Sequence, residues 1–149
     1  MLAIHPYDRL VLLGGVDAAR KPPVGVDAVV LLCRLGGAEV PAPGVRPPDH
    51  AEDWLVDSAD SGRNLNLDLV LAQAADTVVA LRAEGRTVLI HCVNAVSRTP
   101  TVAALHAARQ LGIPVQQALR DVRDVLPAAR PDPALMAALD RLGAAASAP

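Results

Sequence analysis

The sequence predicts a single α/β domain with a mostly parallel central sheet flanked by helices. Short apolar segments typical of buried strands alternate with longer segments whose apolar residues recur at helical spacing. Of the 149 residues, 52% are hydrophobic and 20% are charged, so the chain can bury a core and is too apolar to be disordered. We therefore expect one domain over residues 1–149, with a flexible tail from about residue 143.

Four strands are predicted, each from an apolar run bounded by turn or loop residues. The second and fourth runs are apolar at nearly every position, as strands covered on both faces of a parallel sheet are. The Pro- and Gly-rich stretch Gly36–Pro48 is predicted to be a loop within the domain. The predicted strands are Leu10–Leu13, Val26–Leu32, Trp54–Val56 and Thr87–Ile90.

Four helices complete the predicted layers around the sheet. Asp68–Ala83 carries its apolar residues on one face and is followed by a glycine stop signal. Thr99–Leu111 begins with Thr-Pro, a pair that suits a first turn, and Thr99 is predicted to be its N-cap. Two further helices are expected near Val115–Val125 and Pro133–Leu142.

The segment between the fourth strand and the Thr99 helix has the composition of an anion site. Cys92 and Arg98 are separated by five residues, one near a strand end and the other at a helix start. Backbone N–H groups in such a turn bind anions, and a guanidinium holds two phosphate oxygens at once. The same positive environment favours the Cys92 thiolate, which is a nucleophile. The alternative is a small buried cysteine and an exposed helix-start arginine, but the strand, loop and helix context favours the anion site.

This segment, His91-Cys92 followed by five residues and Arg98-Thr99, resembles the signature loop of the cysteine-dependent protein phosphatases. The flanking sequence is most similar to their compact dual-specificity branch, and the resemblance extends to Leu10–Ala19, Val26–Leu32 and Ala118–Pro131. It implies a phosphatase-like fold and a phosphomonoester hydrolase that needs no cofactor. The implied substrate is a phosphorylated protein, at phosphotyrosine, phosphoserine or phosphothreonine, or a small phosphomonoester.

The resemblance also implies a role for each matching residue. Cys92 would attack phosphorus and become a phosphocysteine, while Arg98 would bind the phosphate oxygens. Thr99 or Ser97 would donate a hydrogen bond to the sulfur. His91 would support the loop from behind, although a core histidine at a strand end is an equally good interpretation. The loop that binds phosphate would comprise Val93, Asn94, Ala95, Val96, Ser97 and Arg98.

A general acid must protonate the leaving oxygen, and the family takes it from an aspartate upstream of the signature loop. Two aspartates are candidates here. Asp57 directly follows the predicted third strand, and Asp60 lies at a chain distance from Cys92 that better matches the family. Each could instead be an ordinary Asx-turn residue in a polar loop, so both remain candidates.

Two features of the loop depart from the family pattern. Ala95 stands where the family usually has a glycine, and a non-glycine residue at positive φ costs on the order of 1 kcal/mol. The interior Val93–Val96 is uncharged, which argues against a phosphoinositide substrate.

Cys33 ends the second predicted strand. If the carboxyl ends of the strands converge as in the family, Cys33 could form a reversible disulfide with Cys92 that protects the thiolate. The alternative is a buried, inert thiol.

Composition excludes several other classes of function. Acidic and basic residues number 16 and 14 and are dispersed, and Phe is absent beside one Trp and one Tyr, so we expect no nucleic-acid partner. Two cysteines and four histidines show no metal-ligand spacing, so we expect no metal and no cofactor. Without a signal-peptide pattern or a long apolar run, we expect a cytoplasmic protein with no membrane partner. One lysine among abundant Ala and Pro indicates a GC-rich bacterial genome.

Two other functions remain open. A non-catalytic phosphate-binding module, or pseudophosphatase, is consistent with Ala95 and with the ambiguous general acid. A rhodanese-like or arsenate-reductase-like thiol enzyme also places a cysteine in an anion loop, but Arg98 with Thr99 argues against it. The sequence makes no prediction of the oligomeric state.

Overall fold

The computed structural model describes residues 2–34, 40–56 and 63–147, the last three by their backbone alone. Its strands and helices alternate along most of the chain. The strands are β1 Leu2–His5, β2 Asp8–Gly14, β3 Ala28–Leu31, β4 His50–Glu52 and β5 Val88–His91. The helices are α1 Val16–Arg20, α2 Leu67–Ala83, α3 Arg98–Leu111, α4 Val115–Val125 and α5 Pro133–Ser147, and a 3₁₀ turn occupies Pro47–Asp49.

The strands form one sheet in the order β1-β2-β5-β3-β4, which confirms the predicted mostly parallel architecture. β2, β5, β3 and β4 run parallel, and β1 is an antiparallel edge strand. Gly14 pairs with His91, His91 with Leu31, and Leu31 with Glu52. Because parallel strands end at the same edge, these four residues form a row, and the segments after them begin side by side.

The two outer strands differ from the prediction. β1 was not predicted, and the third strand is His50–Glu52 rather than Trp54–Val56. These three residues include two with ionisable side chains and pair on one side only, with Val29–Leu31. An edge strand of this kind carries no continuous apolar run, so its own composition does not predict it. Its position is determined by its pairing with β3.

The helix boundaries are close to those predicted, with two informative differences. α3 begins at Arg98, and its N-cap is Ser97 rather than Thr99. The Ser97 hydroxyl makes no capping bond because it accepts a hydrogen bond from the Asp132 N–H at 3.0 Å. α5 continues to Ser147, five residues past its predicted end. Of the predicted loop Gly36–Pro48, residues 40–46 contain neither helix nor strand, and residues 36–39 lie outside the described residues.

α3 is the central helix of the covering layer. It packs against α2, α4 and α5 on its sides and against β2 and β5 of the sheet. Every residue from Thr99 to Ala108 is buried, and four of them are alanines, which let the neighbouring backbones approach closely. α3 begins directly after the 92–98 segment, so the packing of the whole layer fixes the direction in which that segment enters the helix.

Gly143 in α5 lies against Val115 at the start of α4, where a Cβ atom would come within 2.3 Å of Val115 Cγ1. Gly143→Ala should therefore lower the free energy of unfolding by about 1–3 kcal/mol, because the β-branched Val115 side chain has little freedom to move aside. Urea denaturation of the wild type, Gly143→Ala and the double variant with Val115→Ala measures this. The double variant should recover part of the loss. A stabilising Gly143→Ala, as helix propensity alone predicts, would show that the two helices are not in close contact.

Candidate active site

Cys92 follows β5 at the centre of the row of strand ends. The 92–98 loop, from Cys92 to Arg98, then leads into α3. Only 2% of the Cys92 side chain is exposed. The apolar β5 and the buried α3 therefore hold the thiol at the base of the loop, between the end of a strand and the start of a helix.

Neighbouring segments hold the carbonyl groups of the 92–98 loop. Val93 O accepts the Val16 N–H at 3.0 Å, and Val96 O accepts the Arg130 N–H at 2.6 Å. In the part of the chain that the structure describes, the N–H groups of residues 93–97 donate to no backbone or side-chain acceptor. Five consecutive N–H groups thus have no acceptor within the described residues, and a turn with such free donors is suited to bind a phosphate.

The Gly14 carbonyl joins both ends of the loop to the end of β2. It accepts the Cys92 N–H at 3.4 Å and the Thr99 hydroxyl at 3.2 Å. The next residue, Gly15, lies so close that a Cβ atom there would come within 2.6 Å of Val93 O. Sequence reasoning assigned these glycines no role, although a Gly-Gly pair directly after a strand is a signal of close backbone approach.

The Thr99 hydroxyl has one hydrogen, and in the structure it donates that hydrogen to Gly14. Its predicted hydrogen bond to the Cys92 sulfur would require the hydroxyl to leave this acceptor. Ser97 also contacts the backbone, since its oxygen accepts the Asp132 N–H. Both hydroxyls therefore bond the loop to backbone groups of neighbouring segments. The hydrogen bonds predicted from Thr99 and Ser97 to the Cys92 sulfur stay predictions.

Ala95 adopts the left-handed conformation expected from its place in the loop. Its φ is 58°, and its methyl group is buried. An L-residue with a Cβ atom costs on the order of 1 kcal/mol in this region, so the loop carries strain that a glycine would avoid. The bonds from α1 and from the segment after α4 stabilise the loop against this cost.

Arg98 reaches across the site from the first position of α3. One terminal nitrogen, Nη1, donates to Leu55 O at 2.8 Å, while the buried Nε has no partner among the described residues. Arg98 also lines an open cavity of about 540 Å³. The bond to Leu55 thus orients the guanidinium, and the other N–H groups of Arg98 remain available to a ligand. The remaining described residues of the lining are Arg34, Trp54, Leu55 and Val56.

His91 is fully buried beneath the loop, and its ring nitrogens make no hydrogen bond of normal geometry with the described residues. Its pKa is lowered to about 4, chiefly by burial and also by the nearby His50, while the Cys92 backbone acts in the opposite direction. The ring is therefore neutral at physiological pH. This burial fits a core histidine, and the predicted support of the loop by His91 stays a prediction.

Cys33 lies two residues beyond the end of β3 and is 1% exposed. Burial raises the pKa of its thiol, the positive charge of Arg98 lowers it, and Cys92 raises it. Leu31 pairs with His91, so the segments that carry Cys33 and Cys92 leave neighbouring strands side by side. The disulfide between the two cysteines stays a prediction. Both cysteines are free thiols.

The two candidate general acids, Asp57 and Asp60, lie outside the described residues. Asp53, which the sequence analysis did not consider, is the aspartate that follows β4. Burial raises the pKa of its carboxyl, a hydrogen bond with Thr77 of α2 opposes this, and its Oδ2 has no partner within the described ranges. Asp53 is therefore engaged with α2, which makes it a useful control for the two candidates.

Among the described residues, no group of histidine, cysteine and acidic side chains is arranged to hold a metal ion. In the same part of the chain, no helix combines the length and the apolar character that a bilayer crossing requires.

Comparison with protein-family models finds no match. Human protein phosphatase Slingshot homolog 3 is 39% identical over 59 residues, 40% of this chain and 9% of that protein. Dual specificity protein phosphatase 1 of Arabidopsis thaliana is 28% identical over 91 residues, 57% of this chain and 44% of that protein. The crystal structure of human DUSP28 matches with a TM-score of 0.78 at 22% identity, over 93% of this chain and 91% of that one. The fold is that of the dual-specificity phosphatases.

The structural match confirms the predicted phosphatase-like α/β architecture and the resemblance to the compact dual-specificity branch. The chain spans less than half the length of either curated relative. In this fold, the 92–98 loop connects the central strand β5 to the central helix α3.

Acid should destabilise the protein through His91 and His106, the latter also buried with a pKa lowered to about 4. Between pH 6.5 and 4 the unfolded chain binds protons that these native rings do not, so stability falls as the pH falls. From pH 7.5 to 5 the loss should be about 2 kcal/mol per histidine. Denaturation at both pH values measures the loss, and NMR titration assigns it. Ring resonances of His91 and His106 that titrate near pH 6.5 would contradict this account.

Proposed function

We propose that the protein is a phosphomonoester hydrolase of the dual-specificity type that acts through a phosphocysteine on Cys92. The observation that supports this most strongly is the 92–98 loop, which connects the buried Cys92 to Arg98 and contains five consecutive N–H groups that donate to no acceptor among the described residues. A dianionic phosphate fits this arrangement because donors and positive charge face it from several directions.

The proposed reaction has two steps. The Cys92 thiolate attacks phosphorus, and the bond from phosphorus to the ester oxygen breaks as a general acid protonates that oxygen. Water then attacks the phosphocysteine, releasing inorganic phosphate and the thiolate. Throughout, Arg98 and the loop N–H groups bind the equatorial oxygens, whose negative charge persists through both transition states.

The general acid is proposed to be Asp60 or Asp57, with Asp60 favoured by its distance along the chain from Cys92. Thr99 is proposed to assist the second step if its hydroxyl turns from Gly14 to the leaving sulfur. The substrate is proposed to be a phosphorylated protein, and the uncharged Val93–Val96 gives a phosphoinositide no additional cationic contacts. We propose a bacterial source on the composition alone, with one lysine among abundant Ala and Pro.

Two observations favour the non-catalytic alternative, a phosphate-binding module. Ala95 is left-handed where a glycine would be free of strain, and the Thr99 hydroxyl is engaged with Gly14. Neither feature weakens anion binding, but both bear on turnover. Activity measurements therefore separate the two functions.

Hydrolysis of para-nitrophenyl phosphate against pH, under reducing conditions, tests the proposed chemistry. Cys92→Ser should abolish turnover because the hydroxyl is a far weaker nucleophile, and Arg98→Ala should lower kcat by about 100-fold or more. Of Asp57→Asn and Asp60→Asn, the variant that loses the basic limb of the pH profile identifies the acid.

Asp53→Asn is the matched control, since it makes the same change to an aspartate that contacts α2, and it should keep the basic limb. A folded, reduced wild type that binds orthovanadate without hydrolysing the substrate would contradict catalysis and establish the binding module.

We further propose that Cys33 forms a reversible disulfide with Cys92. One molecule of hydrogen peroxide would accept two electrons and two protons from the thiols, forming the S–S bond and two waters. Peroxide should then inactivate the wild type reversibly, with full recovery in dithiothreitol, whereas Cys33→Ser should lose activity irreversibly. Intact mass reports the bond as a loss of two hydrogens. Equal recovery of both proteins, or sulfinic acid in both, would show that Cys33 is inert.

A further inference from the structure

Arg34 and Trp54 form a stacked pair on the wall of the cavity that contains Arg98. The central carbon of the Arg34 guanidinium lies 3.7 Å from the centroid of the Trp54 ring. Arg34 is exposed and follows the end of β3, while Trp54 follows the neighbouring strand β4. The parallel pairing of these strands brings together two residues that are twenty positions apart in the chain.

The positive charge of Arg34 has no carboxylate partner among the described residues. Other arginines in this part of the chain do form ion pairs, including Arg82 with Asp8 and Arg141 with Asp68. The other described residues that line the cavity, apart from Arg98, are the uncharged Trp54, Leu55 and Val56. The described wall of the cavity therefore carries two guanidinium groups and no negative charge.

Stacking on Trp54 restricts the Arg34 side chain without using its hydrogen-bonding edge. A cation over an indole ring at an exposed site gains about 0.5–1 kcal/mol, and the planar fork keeps its donors for a carboxylate or a phosphate. A side chain that is already ordered loses less conformational entropy when it binds. Arg34 is thus prepared to contact an anion that enters the cavity.

We propose that Arg34, held by Trp54, forms a second anion subsite beside the 92–98 loop. The preferred substrate is then a phosphopeptide segment with a further anionic group close to the phosphate that is removed. That group is either an acidic side chain or a second phosphate, because both present the oxygen pair that a guanidinium binds. This inference rests on the proposed function, since it takes the first phosphate to bind at Arg98.

The experiment compares three phosphopeptides that differ only beside the phosphorylated residue, which is followed by glutamine, glutamate or phosphoserine. In Arg34→Gln, the ratio of kcat/KM for the glutamate or phosphoserine peptide to that for the glutamine peptide should fall about tenfold or more. Trp54→Leu keeps the charge but removes the stack, so it should reduce the ratio by a smaller factor. In the wild type, added salt should also reduce the ratio.

Arg9→Gln provides the matched control, because it removes the same charge from an exposed residue at the opposite end of β2 from Gly14. It should leave all three kcat/KM values unchanged. A fall confined to the phosphoserine peptide would identify a second phosphate as the ligand, and a fall with both peptides would identify either anion. An unchanged ratio in Arg34→Gln would show that Arg34 only covers Trp54, and would overturn the inference.

Failure of the proposed function gives a different result. If the wild type hydrolyses none of the peptides, calorimetric binding of the same three peptides to Cys92→Ser, with and without Arg34→Gln, replaces the kinetic ratio. Weaker binding of the anionic peptides on loss of Arg34 would support the subsite in a protein that does not turn over. Equal binding of all three would overturn it.

Discussion

The arrangement of the site depends most on two hydrogen bonds that the Gly14 carbonyl accepts. It accepts hydrogen bonds from Cys92 at one end of the 92–98 loop and from Thr99 at the other. A loop of seven residues that is pinned at both ends to one oxygen loses most of its conformational freedom. The oxygen itself is fixed because Gly14 is the last residue of β2 and pairs with His91 in the sheet. The sheet therefore positions Cys92 through a backbone atom.

The remaining constraints act on the loop from opposite sides. The start of α1 binds the Val93 carbonyl, and the segment between α4 and α5 binds the Val96 carbonyl and the Ser97 hydroxyl. With these acceptors occupied and the N–H groups of residues 93–97 unpaired among the described residues, the loop favours an anion. The same bonds hold Ala95 in a conformation that the isolated peptide would avoid. The hydrogen bonds that favour anion binding by the loop are thus the same ones that hold Ala95 in a strained conformation.

The sequence predicted best the features that depend on local pattern. β5, α3 and α4 were found almost to the residue, since each has its own apolar period, and Cys92 and Arg98 lie at a strand end and a helix start as predicted. The features that depend on distant partners were missed. β4 is defined by its pairing with β3, the role of Gly14 by a loop almost eighty residues later, and the Arg34 stack by the parallel register of two strands. No single-sequence pattern carries this information.

The burial of α3 also bears on how freely the protein can change during evolution. A surface helix such as α4 buries only Val115, Ala118, Leu119 and Val122, so more of its positions can vary without disturbing the core. α3 has ten consecutive buried residues after Arg98 and no free face along that length. Substitutions in α3 are therefore confined to exchanges between residues of similar volume. The helix that begins at Arg98 should therefore be the slowest part of the covering layer to diverge, even at positions far from the 92–98 loop.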